Sequence, residues 1–122
     1  MSKGRILFAD DDVDTRQMMA KYLQLAGYSV LLATSPMEVL DTIADEEFDA
    51  VLLDNWMPEK TGLELCKMIR LIDQTTPIFF CSGAAQQTDI DAATAAGAQG
   101  YFTKPFDPDE LVKTLESVLK TA

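Results

Sequence analysis

Residues 5–12 read RILFADDD, a short apolar run that ends abruptly in three consecutive carboxylates. The run from Ile6 to Ala9 is too continuously apolar for a strand with one face in water, so it predicts a strand that is buried on both faces. Strands of this kind belong to parallel sheets covered by helices on both sides. In such sheets ligands bind beyond the carboxyl ends of the strands, where these carboxylates lie.

Four more runs of this type follow, at residues 30–33, 50–53, 78–81 and 100–103, and helical segments separate them. Ser35-Pro36 and Asp107-Pro108 are helix start signals, and Gly27 and Gly97 are typical helix ends. The apolar positions expected to face the core are Met18, Met19, Tyr22, Leu23 and Ala26; Val39, Leu40, Ile43 and Ala44; Leu65, Cys66, Ile69 and Ile72; and Leu111, Val112, Leu115, Val118 and Leu119. Five strands alternating with five helices predict an α/β fold, a doubly wound (βα)5 three-layer sandwich whose strand order hydrophobicity does not reveal.

Length and composition predict one domain, residues 1–122 with a core from about 5 to 120. The chain has 122 residues, 48% of them hydrophobic, and no apolar segment approaching the ~20 residues that span a bilayer. We therefore expect a cytoplasmic protein in which Cys66 and Cys81 are reduced core thiols. The formal charge of −10 opposes binding to nucleic acid and to membranes. Since the chain has no histidine, a histidine base or metal ligand is excluded.

Polar side chains end four of the predicted strands. Strand 1 runs into Asp10, Asp11 and Asp12, strand 3 into Asp54, strand 4 into Ser82, and strand 5 into Thr103, Lys104 and Pro105. Clustered carboxylates repel one another unless a lysine or a divalent cation neutralises them, and oxygen ligands alone favour a hard cation such as Mg²⁺. Mg²⁺, an ammonium and a hydroxyl can together bind a phosphoryl group, and an aspartate can be its acceptor.

From Ile6 to about Leu119 the chain resembles the receiver domains of two-component response regulators. The resemblance implies the flavodoxin-like strand order 2-1-3-4-5 in a five-stranded parallel sheet. It also implies a role for each matching residue: Asp54 as phosphoacceptor, Asp11 as a direct Mg²⁺ ligand, Asp10 as a water-mediated one, the Trp56 backbone carbonyl as a third ligand, Ser82 as the switch hydroxyl, Lys104 as the catalytic lysine, Tyr101 as the rotating aromatic, and Met57-Pro58 with Gly62 as the loop after the acceptor.

The function implied is that of a signalling switch rather than an enzyme. Mg²⁺-dependent transfer from the phosphohistidine of a histidine kinase or histidine phosphotransfer protein would phosphorylate Asp54 and change the affinity for a downstream effector. Such a domain assists its own phosphorylation and dephosphorylation. No Lys or Arg lies between Gly83 and Gln99, so we expect no charge-paired dimer through this helix and a monomer in isolation. The sequence leaves open whether the chain is a stand-alone receiver or part of a longer regulator.

Two further predictions concern the loops around the site. The Lys104-Pro105 bond is predicted to be cis, because the lysine must turn back over the strand ends and X-Pro bonds adopt cis at low cost. By resemblance, Trp56 and Ala84 flank the water that would hydrolyse an acyl phosphate, and neither can activate that water. A long-lived phosphorylated state follows, with the Trp56 indole either a lid over the site or part of a partner surface.

Three alternative interpretations are weaker. In a calcium loop beginning at Asp10, the sixth position would be glycine and the twelfth glutamate, but Thr15 and Lys21 stand there. An aspartyl-phosphate phosphatase has its nucleophile after the first strand in a D-x-D-x-T/V pattern, which Arg16 breaks. An FMN carrier needs a phosphate cradle after strand 1, where this chain is acidic. Asp12 and Asp14 are better interpreted as a helix N-cap and a first-turn charge.

Overall fold

The computed structural model describes residues 3–54, 60–83, 86–104 and 107–119. Strands and helices alternate without exception along these residues, as the apolar pattern predicts. The elements are β1 (Arg5–Ala9), α1 (Val13–Leu25), β2 (Ser29–Ala33), α2 (Pro36–Asp45), β3 (Ala50–Leu53), α3 (Gly62–Ile72), β4 (Ile78–Ser82), α4 (Gln87–Ala95), β5 (Gly100–Thr103) and α5 (Pro108–Leu119). Within the described ranges, no helix combines the length and the apolar character needed to cross a membrane.

The five strands form one parallel sheet in the order β2-β1-β3-β4-β5. This is the order 2-1-3-4-5 that the family resemblance implied, and the doubly wound (βα)5 architecture is confirmed. The central strand β3 lies between β1 and β4, with Ala9 opposite Leu53 and Leu53 opposite Phe80. The chain reverses its direction of progress across the sheet after β2, so the switch point lies between β1 and β3, at the carboxyl ends of these strands.

Side chains of β1 alternate between two separate hydrophobic cores, which is why its sequence is continuously apolar. Ile6 and Phe8 pack with residues of α1 and α5 on one face of the sheet. Leu7 and Ala9 pack with residues of α2, α3 and α4 on the other face. The helices therefore cover both faces, and the molecule has three layers.

Several helices begin or end at the capping residues that the sequence predicts. Ser35 caps α2 by accepting a hydrogen bond from the Glu38 backbone N–H, and Pro36 occupies the first turn. Gly27 and Gly97 follow α1 and α4 with φ of 102° and 110°, a conformation that side chains with a Cβ rarely adopt. These signals were predictable because each depends only on neighbouring residues.

The structure differs from the sequence prediction in how deeply the edge strands and two helix residues are buried. Edge strands β2 and β5 are only partly buried, because each has a neighbour on one side and incomplete helix cover. Met18 and Ile72 were expected to face the core, but they are 57% and 53% exposed. Met19 lies one helical position from Met18 and faces the core instead, while Ile72 is the last residue of α3.

Candidate functional site

Strand register places two carboxylates side by side at the switch point. The last residues of β1 and β3, Ala9 and Leu53, are paired, so Asp10 and Asp54 leave adjacent strands at the same level. Backbone hydrogen bonds extend the sheet by one residue at each position: the Asp54 N–H donates to the Ala9 carbonyl at 3.0 Å, and the Asp10 N–H donates to the Ala33 carbonyl at 3.3 Å. Both aspartates therefore have backbone positions fixed by the sheet.

The polar side chains at these strand ends are buried, whereas most polar side chains of a protein lie in water. Among the described residues, the buried polar or charged side chains are Asp10, Asp54 and Ser82, with exposed fractions of 1%, 6% and 0%. Proteins bury carboxylates at high cost unless cations or hydrogen bonds stabilise them. The fold retains two of them together at one edge of the sheet, which makes this edge the candidate functional site.

Three carboxylates at this edge could bind a metal ion together. Asp10, Asp11 and Asp54 each offer one oxygen, and these oxygens lie within 4.8 Å of one another. Asp11 is exposed while the other two are buried, so the cluster opens to solvent on the Asp11 side. An all-oxygen donor set with one open side suits Mg²⁺, which retains several of its water ligands. The residues therefore fit the cation that the sequence predicts.

The Lys104 ammonium faces two of these carboxylates. Its ammonium lies 2.8 Å from Asp10 Oδ2 and 3.9 Å from Asp54 Oδ2. Its backbone is anchored to β4, because the Lys104 N–H donates to the Ser82 carbonyl at 2.8 Å. Burial alone would lower the pKa of Lys104, but the hydrogen bond to Asp10 and the charges of Asp54 and Asp10 outweigh it, and the net shift is upward. The lysine therefore stays charged, paired more closely with Asp10 than with Asp54.

Arg16, near the start of α1, contacts the turn after β1, although the sequence pattern pointed to it only as a residue that excludes a phosphatase motif. The Arg16 guanidinium donates from Nη1 to the Asp10 backbone carbonyl at 2.7 Å. The Asp12 N–H donates to Asp10 Oδ1 at 3.0 Å. A contact between a guanidinium and a main-chain carbonyl has no local sequence signature, so the sequence did not indicate it.

Asp12 itself is the N-cap of α1, as predicted. Its carboxylate accepts a hydrogen bond from the Thr15 N–H at 3.0 Å. The side-chain hydrogen bond from Thr15 is the main reason that the pKa of Asp12 is lowered. Asp12 therefore starts the helix, and Asp14 is the acidic residue of its first turn.

Ser82 and Tyr101 meet at the other side of the site. Ser82 is the last residue of β4, and the ring of Tyr101 stacks on Phe80 with centroids 5.8 Å apart and planes inclined by 5°. The Tyr101 hydroxyl is buried and forms no hydrogen bond within the described residues. Burial is the main reason that the pKa of Tyr101 is raised. The tyrosine thus occupies an inward position next to the predicted switch hydroxyl.

Several predicted site residues lie outside the described ranges. These are Trp56, Met57 and Pro58 after the acceptor, Ala84 after the switch hydroxyl, and Pro105 with its predicted cis bond. Gly62, the last residue of the predicted loop motif, is the first residue of α3. Thr61 and Glu64 form a reciprocal capping box there, so the loop after the acceptor ends in a firmly started helix.

A groove of about 720 Å³ lies at the opposite end of the sheet, before β3 and β4 begin. Its lining includes Phe48, Asp73 and Thr76, and none of the strand-end residues described above. The groove has no counterpart of the buried carboxylates and the lysine. Chemical character, not volume, therefore identifies the functional edge.

Comparison with known proteins agrees with this geometry. Residues 6–116 match the family model "Response regulator receiver domain". The response regulator MprA of Mycobacterium sp. (strain KMS) is 38% identical over 116 residues, which cover 95% of this chain and 50% of MprA. The chain therefore spans about half the length of the curated relatives it matches.

Solved structures extend the likeness to three dimensions. The receiver domain of the Francisella response regulator 1452 has a TM-score of 0.92 at 27% identity, with 97% of this chain and 98% of that chain covered. The chemotaxis response regulator CheY4 of Vibrio cholerae has a TM-score of 0.88 at 35% identity, with the same coverage.

Proposed function

Because this chain belongs to the response regulator receiver domain family, we propose that it acts as a phosphorylation-dependent switch in which Asp54 accepts the phosphoryl group. The observation that supports this most directly is the position of Asp54: buried at 6% exposure, within reach of two other carboxylates, and 3.9 Å from a lysine ammonium. An ordinary structural aspartate needs none of these neighbours.

The reaction we propose is phosphoryl transfer from a phosphohistidine. A carboxylate oxygen of Asp54 attacks the phosphorus, the new P–O bond forms as the P–N bond breaks, and the electron pair of the broken bond returns to the imidazole nitrogen. Mg²⁺ would be held by Asp11, Asp54 and the Trp56 backbone carbonyl, with Asp10 acting through a bound water, and it would neutralise charge on the phosphoryl oxygens.

The chain's other residues assist this step. Lys104, already charged at the site, binds a phosphoryl oxygen once one is present, and Asp10 keeps the ammonium in place before that. Ser82 donates to another phosphoryl oxygen, and its movement changes the packing around the buried Tyr101 hydroxyl. The face formed by α4, β5 and α5 would then differ between the two states and present a different affinity to an effector.

The partners we propose are a histidine kinase or histidine phosphotransfer protein upstream and an effector downstream. The domain contributes residues that speed its own phosphorylation and dephosphorylation, but turns over no independent substrate. The long lifetime predicted from Trp56 and Ala84, and the monomeric state predicted from a fourth helix without basic residues, remain predictions of this proposal.

Intact-mass spectrometry tests the proposal. The protein is incubated with acetyl phosphate, with and without MgCl2, and in parallel with a phosphorylated histidine phosphotransfer domain. We expect one phosphoryl adduct that requires Mg²⁺ and is absent in Asp54→Asn. Asp41→Asn, which removes an exposed carboxylate from α2, is the matched control and should be labelled like the wild type. Undiminished labelling of Asp54→Asn would disprove the assignment, and sustained phosphate release without an adduct would indicate a phosphatase.

A further inference from the structure

We propose that Arg16 is a positioning residue for the metal site, acting through the Asp10 backbone carbonyl to set the direction of the Asp11 carboxylate. The inference rests on the proposed function, since it concerns how the proposed Mg²⁺ site is built. The observation that supports it is the 2.7 Å hydrogen bond from the partly buried Arg16 guanidinium to the Asp10 carbonyl oxygen.

The two carboxylates of the turn are fixed in different ways. Asp10 has its own restraints, because Oδ1 accepts from the Asp12 N–H at 3.0 Å and Oδ2 accepts from Lys104 at 2.8 Å. Asp11 is exposed, and these contacts fix its neighbours rather than its own side chain. The direction of the Asp11 side chain therefore depends on the peptide plane that joins it to Asp10.

Arg16 controls that peptide plane. The carbonyl of Asp10 and the N–H of Asp11 belong to one planar unit, so a guanidinium that binds the carbonyl also fixes the backbone at Asp11. Arg16 lies on α1, whose start is in turn fixed by the Asp12 cap. The helix and the turn that carries Asp10 and Asp11 are thus connected, and this connection holds Asp11 toward Asp54.

Electrostatics alone predicts the opposite effect of removing Arg16. A positive charge near three carboxylates repels a divalent cation, so its loss would tighten Mg²⁺ binding. Loss of positioning would weaken binding instead, and removing groups that orient metal ligands typically costs about 10-fold or more in metal affinity. The sign of the change therefore separates the two explanations.

The experiment measures the Mg²⁺ affinity of wild type, Arg16→Met, Arg16→Lys and Lys21→Met. Mg²⁺ is titrated while following the fluorescence of Trp56, the chain's single tryptophan, and the Mg²⁺-dependent rise in thermal midpoint gives a second reading. Lys21→Met is the matched control, because it removes the same charge from an exposed position on the same helix. Circular dichroism without Mg²⁺ checks that each variant is folded.

We expect Arg16→Met to raise the Mg²⁺ dissociation constant about 10-fold, Arg16→Lys to raise it less, and Lys21→Met to leave it near the wild-type value. Equal or tighter binding by Arg16→Met would overturn the inference. If Arg16→Met does not fold, Arg16→Lys decides: it keeps the charge, so wild-type affinity would overturn positioning and weaker binding would support it. If the wild type itself binds no Mg²⁺, the proposed metal site fails, and this inference fails with it.

Discussion

At the level of single residues, the site concentrates charge that the folded state has to tolerate. Asp10 and Asp54 are buried beside Asp11, and within the described residues Lys104 is the ammonium paired with them. Three carboxylates against the Lys104 ammonium and the Arg16 guanidinium, which binds the Asp10 backbone carbonyl, leave net negative charge in a region of reduced solvent access, where repulsion is poorly screened. We expect the charges of such a site to lower the stability of the fold, because they are retained for function.

This repulsion makes the acceptor a destabilising residue. Asp54→Asn keeps the size and much of the hydrogen-bonding capacity of the side chain while removing one of the clustered charges. We expect the free energy of unfolding without Mg²⁺ to rise by about 1 kcal/mol, within the range typical of relieving strained functional sites. Urea denaturation of both proteins measures the change, and Asp41→Asn should show almost none. A less stable Asp54→Asn would show that the acceptor stabilises the fold.

Lys104 gives the site a pH dependence with a definite sign. Its pKa is raised in the folded protein above the ordinary value of 10.5, because Asp10 and Asp54 outweigh the opposing effect of burial. A raised lysine pKa stabilises the fold below the unfolded value, and this contribution is lost as the pH rises through the folded value. The stability advantage of wild type over Lys104→Met should therefore be present at pH 8 to 9 and shrink above about pH 10.5.

Urea denaturation of wild type and Lys104→Met at several pH values measures this advantage. Lys67→Met, which removes an exposed ammonium from α3, corrects for the titration of other lysines and tyrosines that both proteins share. An advantage that stays constant from pH 8 to beyond pH 11 would mean that the Lys104 charge does not stabilise the folded state.

At the level of helices and strands, two glycines end helices in the same conformation but in different surroundings. A Cβ at Gly97 would lie 2.9 Å from the Arg70 side chain, and one at Gly27 would lie 3.1 Å from the Lys3 side chain. Arg70 is anchored, since its guanidinium donates to the carbonyls of Gly97 and Asp73 and to Gln99. Lys3 is about half exposed, and its ammonium lies 3.7 Å from Glu116 Oε2, so its long side chain can move aside at lower cost.

The two alanine substitutions should therefore differ in cost. Both Gly27→Ala and Gly97→Ala place a side chain at positive φ, which costs about 1 to 2 kcal/mol. Gly97→Ala should cost more than this, because it also displaces the Arg70 hydrogen bonds that join α3 to the segment before β5. Thermal or urea unfolding compares them, and equal losses would mean that the Arg70 contacts readjust without cost.

The elements also show what sequence can and cannot predict. Helix ends at Ser35 and Gly27 were predictable, because capping and positive φ are local properties. The order of the strands was not, since it depends on pairing between residues distant in sequence, and only the family resemblance supplied it. Met18 lay on the predicted apolar face of α1 but is exposed, because an apolar pattern does not show how far a neighbouring element covers a helix.

The candidate site was also predictable in part. Asp10, Asp54, Ser82 and Lys104 were predictable because each directly follows or ends an apolar strand, and parallel strands bring their carboxyl ends together. The Arg16 contact was not, since its acceptor is a main-chain carbonyl that every residue possesses. Nor did the sequence indicate that Lys104 lies closer to Asp10 than to Asp54. The preference is the difference between a distance of 2.8 Å to Asp10 and one of 3.9 Å to Asp54, which a sequence pattern does not show.

At the level of the whole molecule, the sheet joins two cores that share no residue. Cys66 belongs to the core beneath α2, α3 and α4, and Cys81 belongs to the core beneath α1 and α5. Neighbouring side chains of every inner strand point into different cores, so neither core can open widely without disturbing the sheet. A domain of this size, in which one sheet contributes to both cores, is expected to unfold in a single cooperative step.

The two buried thiols can report on this cooperativity. Burial raises the pKa of Cys66 and raises that of Cys81 to about 12, so neither thiol forms an appreciable thiolate at pH 8 in the folded state. We expect both to react with a thiol reagent only through unfolding, at the same rate and with the same urea dependence. Cys66→Ala and Cys81→Ala, each with one thiol left, assign the rates after correction for their own stabilities. Faster labelling of one thiol, with weak urea dependence, would show that its core opens by itself and that the two halves of the sandwich are independently stable.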